Sequence, residues 1–467
     1  MGPAFSLCGL GIMATFFSVA SSKYPSYNTT VKFPSKPTTL VVRKDGEGGS
    51  ERRSLRELVE ARVPSVFKDF RPLLWLFNGH LQTIYCVLGD FSKHEKVWYK
   101  RTYLRLADGG TLGLDFAPVD DKSNPYLRDD TPIIVVQHGL SGGSYESYVR
   151  AILSRAILPK EKGGLGYRAV VINFRGCAGV PITSPRFYSA GHTDDTRNAL
   201  LYIANRFPKA PLLALGFSLG SNVITRYLGE EKENARFHAA CALACPWNLE
   251  DNNDRLQNSY LGKHIYSKGM GGNLLNLLKR HYKGLSADPD HYVAQAATKA
   301  IALKSPTLEE FDNTFTRIAG GPPPVFPFPS SRDYYRHMST HHIVREVRIP
   351  FLAISAADDP VVRSVPMDSG GNPYVVMGLT PGGGHLGWFQ AGGTGNADRW
   401  TTQPVLEWLK LMGDDVVHDL VPKGGRIFID DDGWFREEGQ LHLGCKELSE
   451  EGIIDGSGGE AGILQGL

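Results

Sequence analysis

The sequence predicts an α/β fold, a mostly parallel sheet with helices on both faces and a mainly helical cap inserted late in the chain. Three observations predict it. Short apolar runs alternate with helical spacings from about residue 132 onward. Several of those runs lack the polar alternation of a half-exposed strand, as strands buried on both faces do. The alternation stops between Trp247 and about Arg345 and then resumes. Strand and helix in alternation mean crossover units, and those build a parallel sheet.

Each element has its own warrant. YKRTYLRL (99–106) and TLGLDF (111–116) flank Asp108-Gly109-Gly110, which supplies the positive-φ turn of a hairpin. PIIVVQHG (132–139) is a strand, YESYVRAILSRAIL (145–158) a helix and RAVVINF (168–174) a strand. DDTRNALLYIANRF (194–207) is an amphipathic helix opened by acidic residues, which suit a helix N-terminus. PLLALGF (211–217) is a strand, and SNVITRYLG (221–229) a helix closed by glycine. FHAACALAC (237–245), PFLAISA (350–356) and YVVMGL (374–379) supply further strands, and QPVLEWLKLM (403–412) a last helix. The core therefore occupies 71–247 and 346–412. Residues 248–345, with GNLLNLLKRHYKG, QAATKAIALK and the proline-rich GPPPVFPFPS, form the cap. Residues 23–70 read as a linker into the core, with KDGEGGS (44–50) its flexible part. The glycine- and acid-rich tail, 413–467, is expected to lose order toward its end.

Composition narrows the function. Hydrophobic residues are 42% and charged residues 21% of the 467, as in soluble globular proteins. A net charge of +2 excludes nucleic acid as the main partner. The six cysteines form no C-x-x-C pair, and no H-E-x-x-H occurs, so no metal is expected; Cys241 and Cys245 lie in an apolar run and read as buried thiols. No G-x-G-x-x-G follows the first strand, so no cofactor is expected either. Gly2 to Ser22 carries no charge, and 4–20 is largely apolar. This segment, 1–22, is a candidate membrane anchor, and the cations Lys23, Lys32, Lys36 and Arg43 after it would keep the remainder on the cytoplasmic face. A cleaved signal, with a secreted product, and an apolar end that merely packs are the competing readings.

The chemistry lies at four loops. Gly216-Phe217-Ser218-Leu219-Gly220 is a G-x-S-x-G motif, weak alone, but here it follows an apolar strand and opens a helix. In that context the serine sits on a strained turn with its Oγ exposed, and both glycines are required by crowding. A Gly-rich turn without catalysis is the bland alternative. His138-Gly139-Leu140-Ser141-Gly142-Gly143 ends an earlier strand, where such a fold places its second oxyanion donor. The backbone N–H groups of Leu219 and Leu140 are therefore assigned to the oxyanion hole, and His138 to orienting the loop. The strand PFLAISA runs into Asp358-Asp359-Pro360, and His385 lies further on in GGGHLG. The order Ser, Asp, His is that of an α/β-hydrolase triad, giving Ser218, Asp359 and His385 as the catalytic candidates. Asp358 remains an alternative; Asp359 is favoured because it directly precedes the proline turn.

FNGHLQT (77–83), NFRGCAGVPITSPRFYSAGHTDD (173–195), GFSLGSN (216–222), DYY (333–335) and AADDP (356–360) resemble the abhydrolase-domain, YheT-like subfamily of α/β-hydrolases. That subfamily includes membrane-anchored animal lipases and phospholipases and the fungal medium-chain fatty acid ethyl ester synthase/esterases. The likeness runs from about 70 to 412, and Ser218, Asp359 and His385 fall on its triad positions. It implies a serine esterase acting on medium-chain acyl esters or acyl-CoA, with water or an alcohol as acceptor, and Arg175 and His192 as structural residues beneath the cleft. No histidine starts the H-x-x-x-x-D motif of some members, so a second acyltransferase site is not expected. Transfer through the triad itself stays open. So do a tailoring hydrolase or acyltransferase of a secondary-metabolite pathway and a catalytically silent binding protein. Dehalogenase or epoxide hydrolase chemistry needs an aspartate where Ser218 stands.

Overall fold

The structure, a computed structural model, describes residues 28–44, 48–119, 124–392, 397–418 and 423–466. Twelve strands form one sheet: β1 (Thr30–Lys32), β2 (Trp98–Leu106), β3 (Thr111–Ala117), β4 (Ile133–Gln137), β5 (Arg168–Asn173), β6 (Leu212–Phe217), β7 (Ala239–Leu243), β8 (Phe351–Ala356), β9 (Val375–Thr380), β10 (Ile427–Ile429), β11 (Phe435–Glu437) and β12 (Cys445–Asp455). Their order across the sheet is β1-β9-β8-β7-β6-β4-β5-β3-β2-β12-β11-β10. The six central strands, β4 to β9, run parallel, and every residue of β4, β5, β6, β7 and β8 is buried. Continuous apolar sequence is therefore what these positions demand. The hairpin β2–β3 joins antiparallel to β5.

The helices that matter here are α1 (Leu55–Arg62), α2 (Gly79–Leu88), α3 (Ser147–Ala156), α4 (Asp194–Arg206) and α5 (Leu219–Glu231), then in the cap α6 (Leu249–Asn258), α7 (Lys268–Leu285), α8 (Tyr292–Ile301) and α9 (Ser331–Met338), with α10 (Thr402–Lys410) closing the core. Two large apolar clusters fill the two faces of the sheet. A third lies between the cap helices and the loop after β5, with Leu274, Leu278, Phe311 and Tyr335 meeting Phe187 and Leu219.

Two stretches differ from the sequence expectation. Residues 23–70 were expected as a linker, yet its described part is built into the fold. β1 pairs antiparallel with β9 at the sheet edge, and Thr39–Arg43 pairs with Ser50–Ser54. Helix α1 starts from a capping box between Ser54 and Glu57. Leu55, Leu58 and Val59 of α1 are core residues, so burial of that one face holds the segment down. The tail, expected to lose order, adds β10, β11 and β12 to the sheet beside β2. Beyond β12 the Glu460 carboxylate accepts the N–H groups of Ala178 and Gly179 and pairs with Arg280 of α7, while Leu464 N–H donates to Asn273. β10 and β11 are three residues each, and β12, CKELSEEGIID, is rich in charge, so hydrophobic alternation does not reveal them. The proposed anchor, 1–22, lies outside the described residues. Among those described, no helix is long and apolar enough to cross a membrane.

Candidate active site

The loops of Ser218, Asp359 and His385 converge at the carboxyl ends of β6, β8 and β9. Ser218 stands between β6 and α5 with φ 49° and ψ −117°, a backbone region that costs a non-glycine residue roughly 1–3 kcal/mol. The flanking glycines make that turn feasible. A Cβ on Gly216 would come within 2.6 Å of the Ser221 Cα, and one on Gly220 within 2.2 Å of the Gln137 carbonyl oxygen. Close approach of three backbone segments, more than turn flexibility, explains both glycines.

His385 follows β9 and is buried, as is Asp359 after β8. The imidazole Nε2 lies 2.8 Å from the Ser218 Oγ, and Nδ1 lies 2.8 Å from the Asp359 Oδ2. The other Asp359 oxygen, Oδ1, accepts the N–H groups of Val361 and Val362 at 2.7 and 2.9 Å, which fixes the carboxylate's orientation. Asp358 is directed elsewhere. Its Oδ1 accepts the Gly384 N–H at 2.9 Å, and burial raises its pKa. One carboxylate thus reaches the histidine and its neighbour holds the histidine's loop. A hydroxyl joined through imidazole to a carboxylate can lose its proton to the ring as it attacks, and the carboxylate then stabilises the imidazolium.

Leu219 directly follows Ser218, and Gly139, next to Leu140, lies close to the Ser218 side chain. Among the described residues, no backbone hydrogen bond of the turns and loops engages the N–H of either, and Leu219 opens α5, whose N-terminal dipole favours negative charge. The loop bearing Leu140 is held on several sides. Gly139 N–H donates to the Tyr148 hydroxyl at 3.0 Å, the Tyr188 hydroxyl donates to the Leu140 carbonyl, and Asn273 of α7 donates to the Ser141 Oγ at 2.9 Å. His138 lies beneath it. The His138 Nδ1–H donates to the Gly139 carbonyl at 2.8 Å and Nε2 accepts the Phe174 N–H at 3.2 Å. Burial pulls the pKa of His138 down to about 4, so the ring is neutral and acts on the loop.

Some supporting residues are not evident from sequence. On α2 the buried residues Gly79, Gln82, Thr83 and Cys86 recur at helical spacing. Thr83 Oγ1 accepts the His385 N–H at 2.8 Å, and Gln82 bonds the Phe389 N–H and carbonyl. A Cβ on Gly79 would fall 2.0 Å from the Asp358 carbonyl oxygen. The signal was present in FNGHLQT, but its inward face is polar and hydrophobic periodicity passes over it. Asp115 of β3 is a second case. It is fully buried, paired with Arg101 at 2.6 Å, and accepts from Ser144 and Asn173, bracing the far end of the Leu140 loop. Arg175 is buried and pairs with Asp195 and Asp108. Five cysteines, Cys86, Cys177, Cys241, Cys245 and Cys445, are free and buried, and Cys8 lies outside the described residues. Among the described residues, no group of three or more His, Cys, Asp and Glu side chains is placed to hold a metal ion.

A family model described as "alpha/beta hydrolase fold" matches residues 132–368. The chain is an α/β-hydrolase. Its relatives place it in the abhydrolase-domain subfamily. It is 30% identical over 423 residues to the monoacylglycerol lipase of Saccharomyces cerevisiae, covering 82% of this chain and 90% of that one. It is 31% identical to the putative esterase YheT of Escherichia coli, over 73% of this chain and 93% of that one. With medium-chain fatty acid ethyl ester synthase/esterase 2 of Saccharomyces cerevisiae the identity is 28%, over 80% of this chain and 94% of that one. This α/β-hydrolase is thus of the esterase/lipase kind.

Proposed function

We propose that this α/β-hydrolase cleaves medium-chain acyl esters through an acyl-enzyme on Ser218. The observation that carries the reading is the continuous chain from Ser218 Oγ through both nitrogens of His385 to Asp359, 2.8 Å at each step. Ser218 Oγ attacks the ester carbonyl while His385 Nε2 takes its proton. The oxyanion that forms is met by the N–H groups of Leu219 and Leu140. His385 then returns the proton to the departing alcohol, and water attacks the acyl-serine by the same route. An alcohol in place of water would give a new ester, so transfer and hydrolysis share one intermediate. Acyl-CoA could acylate the serine likewise, with the thiolate as leaving group. The ester-synthase relative supports this pairing of activities, and the lipase relative supports a lipid-like ester.

Purified enzyme is to be assayed on esters of increasing acyl length, with and without added ethanol. The reading expects hydrolysis peaking at medium length and ethyl ester formation with ethanol. Ser218→Ala should lower turnover by about six orders of magnitude while the protein stays folded. Turnover within tenfold of wild type would reject Ser218 as the nucleophile.

The same proposal has residues 1–22 hold the enzyme at the cytoplasmic face of a membrane, where such esters concentrate. Its support is the charge-free apolar composition of that segment followed by cations. Carbonate-washed membranes should retain the full chain and release a version starting at Lys23. Full-length protein in the soluble fraction would reject the anchor and leave the esterase reading untouched.

A further inference from the structure

Beside the oxyanion loop lies a small cavity of about 50 Å³ whose walls include both Leu140 and Leu219. Most of its lining is apolar, with Phe187, Leu249, Leu274 and Leu308 among it. Yet the same walls carry Asp312, Thr316 and Tyr335. Asp312 is 5% exposed. The Tyr335 hydroxyl donates to its Oδ2 at 2.7 Å. The groups that influence it are Tyr335, Thr316 and, with like charge, Glu309; no cation is among them. Burial raises its pKa to about 6. Thr316 Oγ1 is buried beside that carboxyl, whose charged form its hydrogen bonding favours. A carboxyl group kept in an apolar wall without a cation costs stability. A buried titratable group that lines a cleft beside reacting atoms is a candidate for binding.

Local backbone adds to this. Asp312–Thr316 forms a π-helical turn between two short α-helical pieces, Leu308–Phe311 and Arg317–Ala319. Such wide turns are rare and gather at functional positions. Here the turn carries Asp312 and Thr316, two of the polar residues that line the cavity.

Position decides which part of an ester the cavity receives. The departing alcohol must lie within reach of His385 Nε2, since that nitrogen protonates it. The loop of His385 is surrounded by Thr83, Gln82, Asp358 and Trp388, and none of these lines the cavity. The cavity borders instead on the residue after the nucleophile and on the loop after β5. It is therefore on the acyl side.

Resting on the ester-hydrolase reading above, we infer that this cavity is a subsite for a hydroxylated acyl group, with Asp312 accepting the hydrogen bond of the substrate hydroxyl and Thr316 offering a second polar contact. The apolar walls take the carbons. Room for roughly four water-sized groups suits the first few carbons and one hydroxyl. A hydrogen bond to a charged acceptor that the unsubstituted acyl chain leaves unmade discriminates strongly, because the buried acceptor is then left unpaired. Asp312 is in this sense a specificity residue, set apart from the Ser218 chemistry.

The test uses the full-length enzyme and two matched pairs of ethyl esters: butanoate against 3-hydroxybutanoate, and hexanoate against 6-hydroxyhexanoate. Wild type should favour the hydroxylated member of at least one pair by roughly ten- to hundredfold in kcat/KM. Asp312→Asn keeps the shape and the bond from Tyr335 and should bring that ratio near one. Thr316→Val leaves Asp312 in place and should lower the same ratio severalfold, so the inference stays testable if the first variant does not fold. A wild-type ratio near one in both pairs, with plain esters hydrolysed, overturns this inference alone. A preference that survives both substitutions also overturns it. Absence of turnover on every ester overturns the esterase reading and the subsite with it.

Discussion

At the residue scale, the two adjacent aspartates divide the work through geometry. Asp359 Oδ2 reaches His385 Nδ1, whereas Asp358 Oδ1 holds the Gly384 N–H. Asp359→Asn presents the wrong donor to the ring and should lower kcat by about four orders of magnitude. In Asp358→Asn the amide oxygen can still accept from Gly384, and activity should stay within about tenfold of wild type. Steady-state kinetics on both purified variants decide the point; the reverse ranking would exchange their roles. Sequence allowed the pair to be found and left the choice between them to turn position, since a proline two residues after one aspartate and one after the other says little about which oxygen faces the ring. His385 was legible because it is the histidine of a glycine-rich loop in the right chain order. Thr83, which holds its backbone, was not, because nothing in a threonine at position 83 of the chain points 302 residues ahead.

At the scale of elements, what sequence shows depends on how many apolar side chains an element buries. The central strands and α4 follow their hydrophobic spacing closely. β1, three residues long, and β10, also three, offer too few positions for a period to emerge. The π-helical turn Asp312–Thr316 breaks the 3.6-residue spacing outright, so the carboxyl of Asp312 cannot be placed from periodicity. Its burial has a consequence for stability. A carboxyl whose native pKa is raised to about 6 from an ordinary 3.8 binds its proton more tightly when folded. Its contribution is fully present below about pH 4, falls between 4 and 6, and is lost above. Asp312→Asn removes that loss while retaining the acceptor for Tyr335. The variant should match wild type near pH 4 and exceed it at pH 8, by up to about 3 kcal/mol. Thermal unfolding across that range tests it. A variant less stable than wild type at pH 8 would show that the carboxylate is paid back by contacts it makes when charged.

At the scale of the whole molecule, the loops of His385 and Leu140 are held by parts of the chain far apart in sequence. The segment leading into the core packs α1 into the main cluster, and α2 pins the His385 loop. The tail ends against the Leu140 loop, where Gly466 N–H donates to Glu146 at 3.1 Å and Asn273 links Leu464 to Ser141. The family resemblance spans about 70 to 412; the described flanking segments pack against that body. The proposed chemistry passes through one atom, the Ser218 Oγ. The direct measurement is to treat the folded enzyme with a fluorophosphonate and map the adduct by peptide mass spectrometry, in wild type and in His385→Ala. Ser218 is the one residue expected to be phosphonylated, with ester turnover lost as the adduct forms and the rate of labelling sharply reduced when His385 is removed. Persistent ester turnover in an enzyme left unlabelled at Ser218, or labelled at another serine, would contradict it.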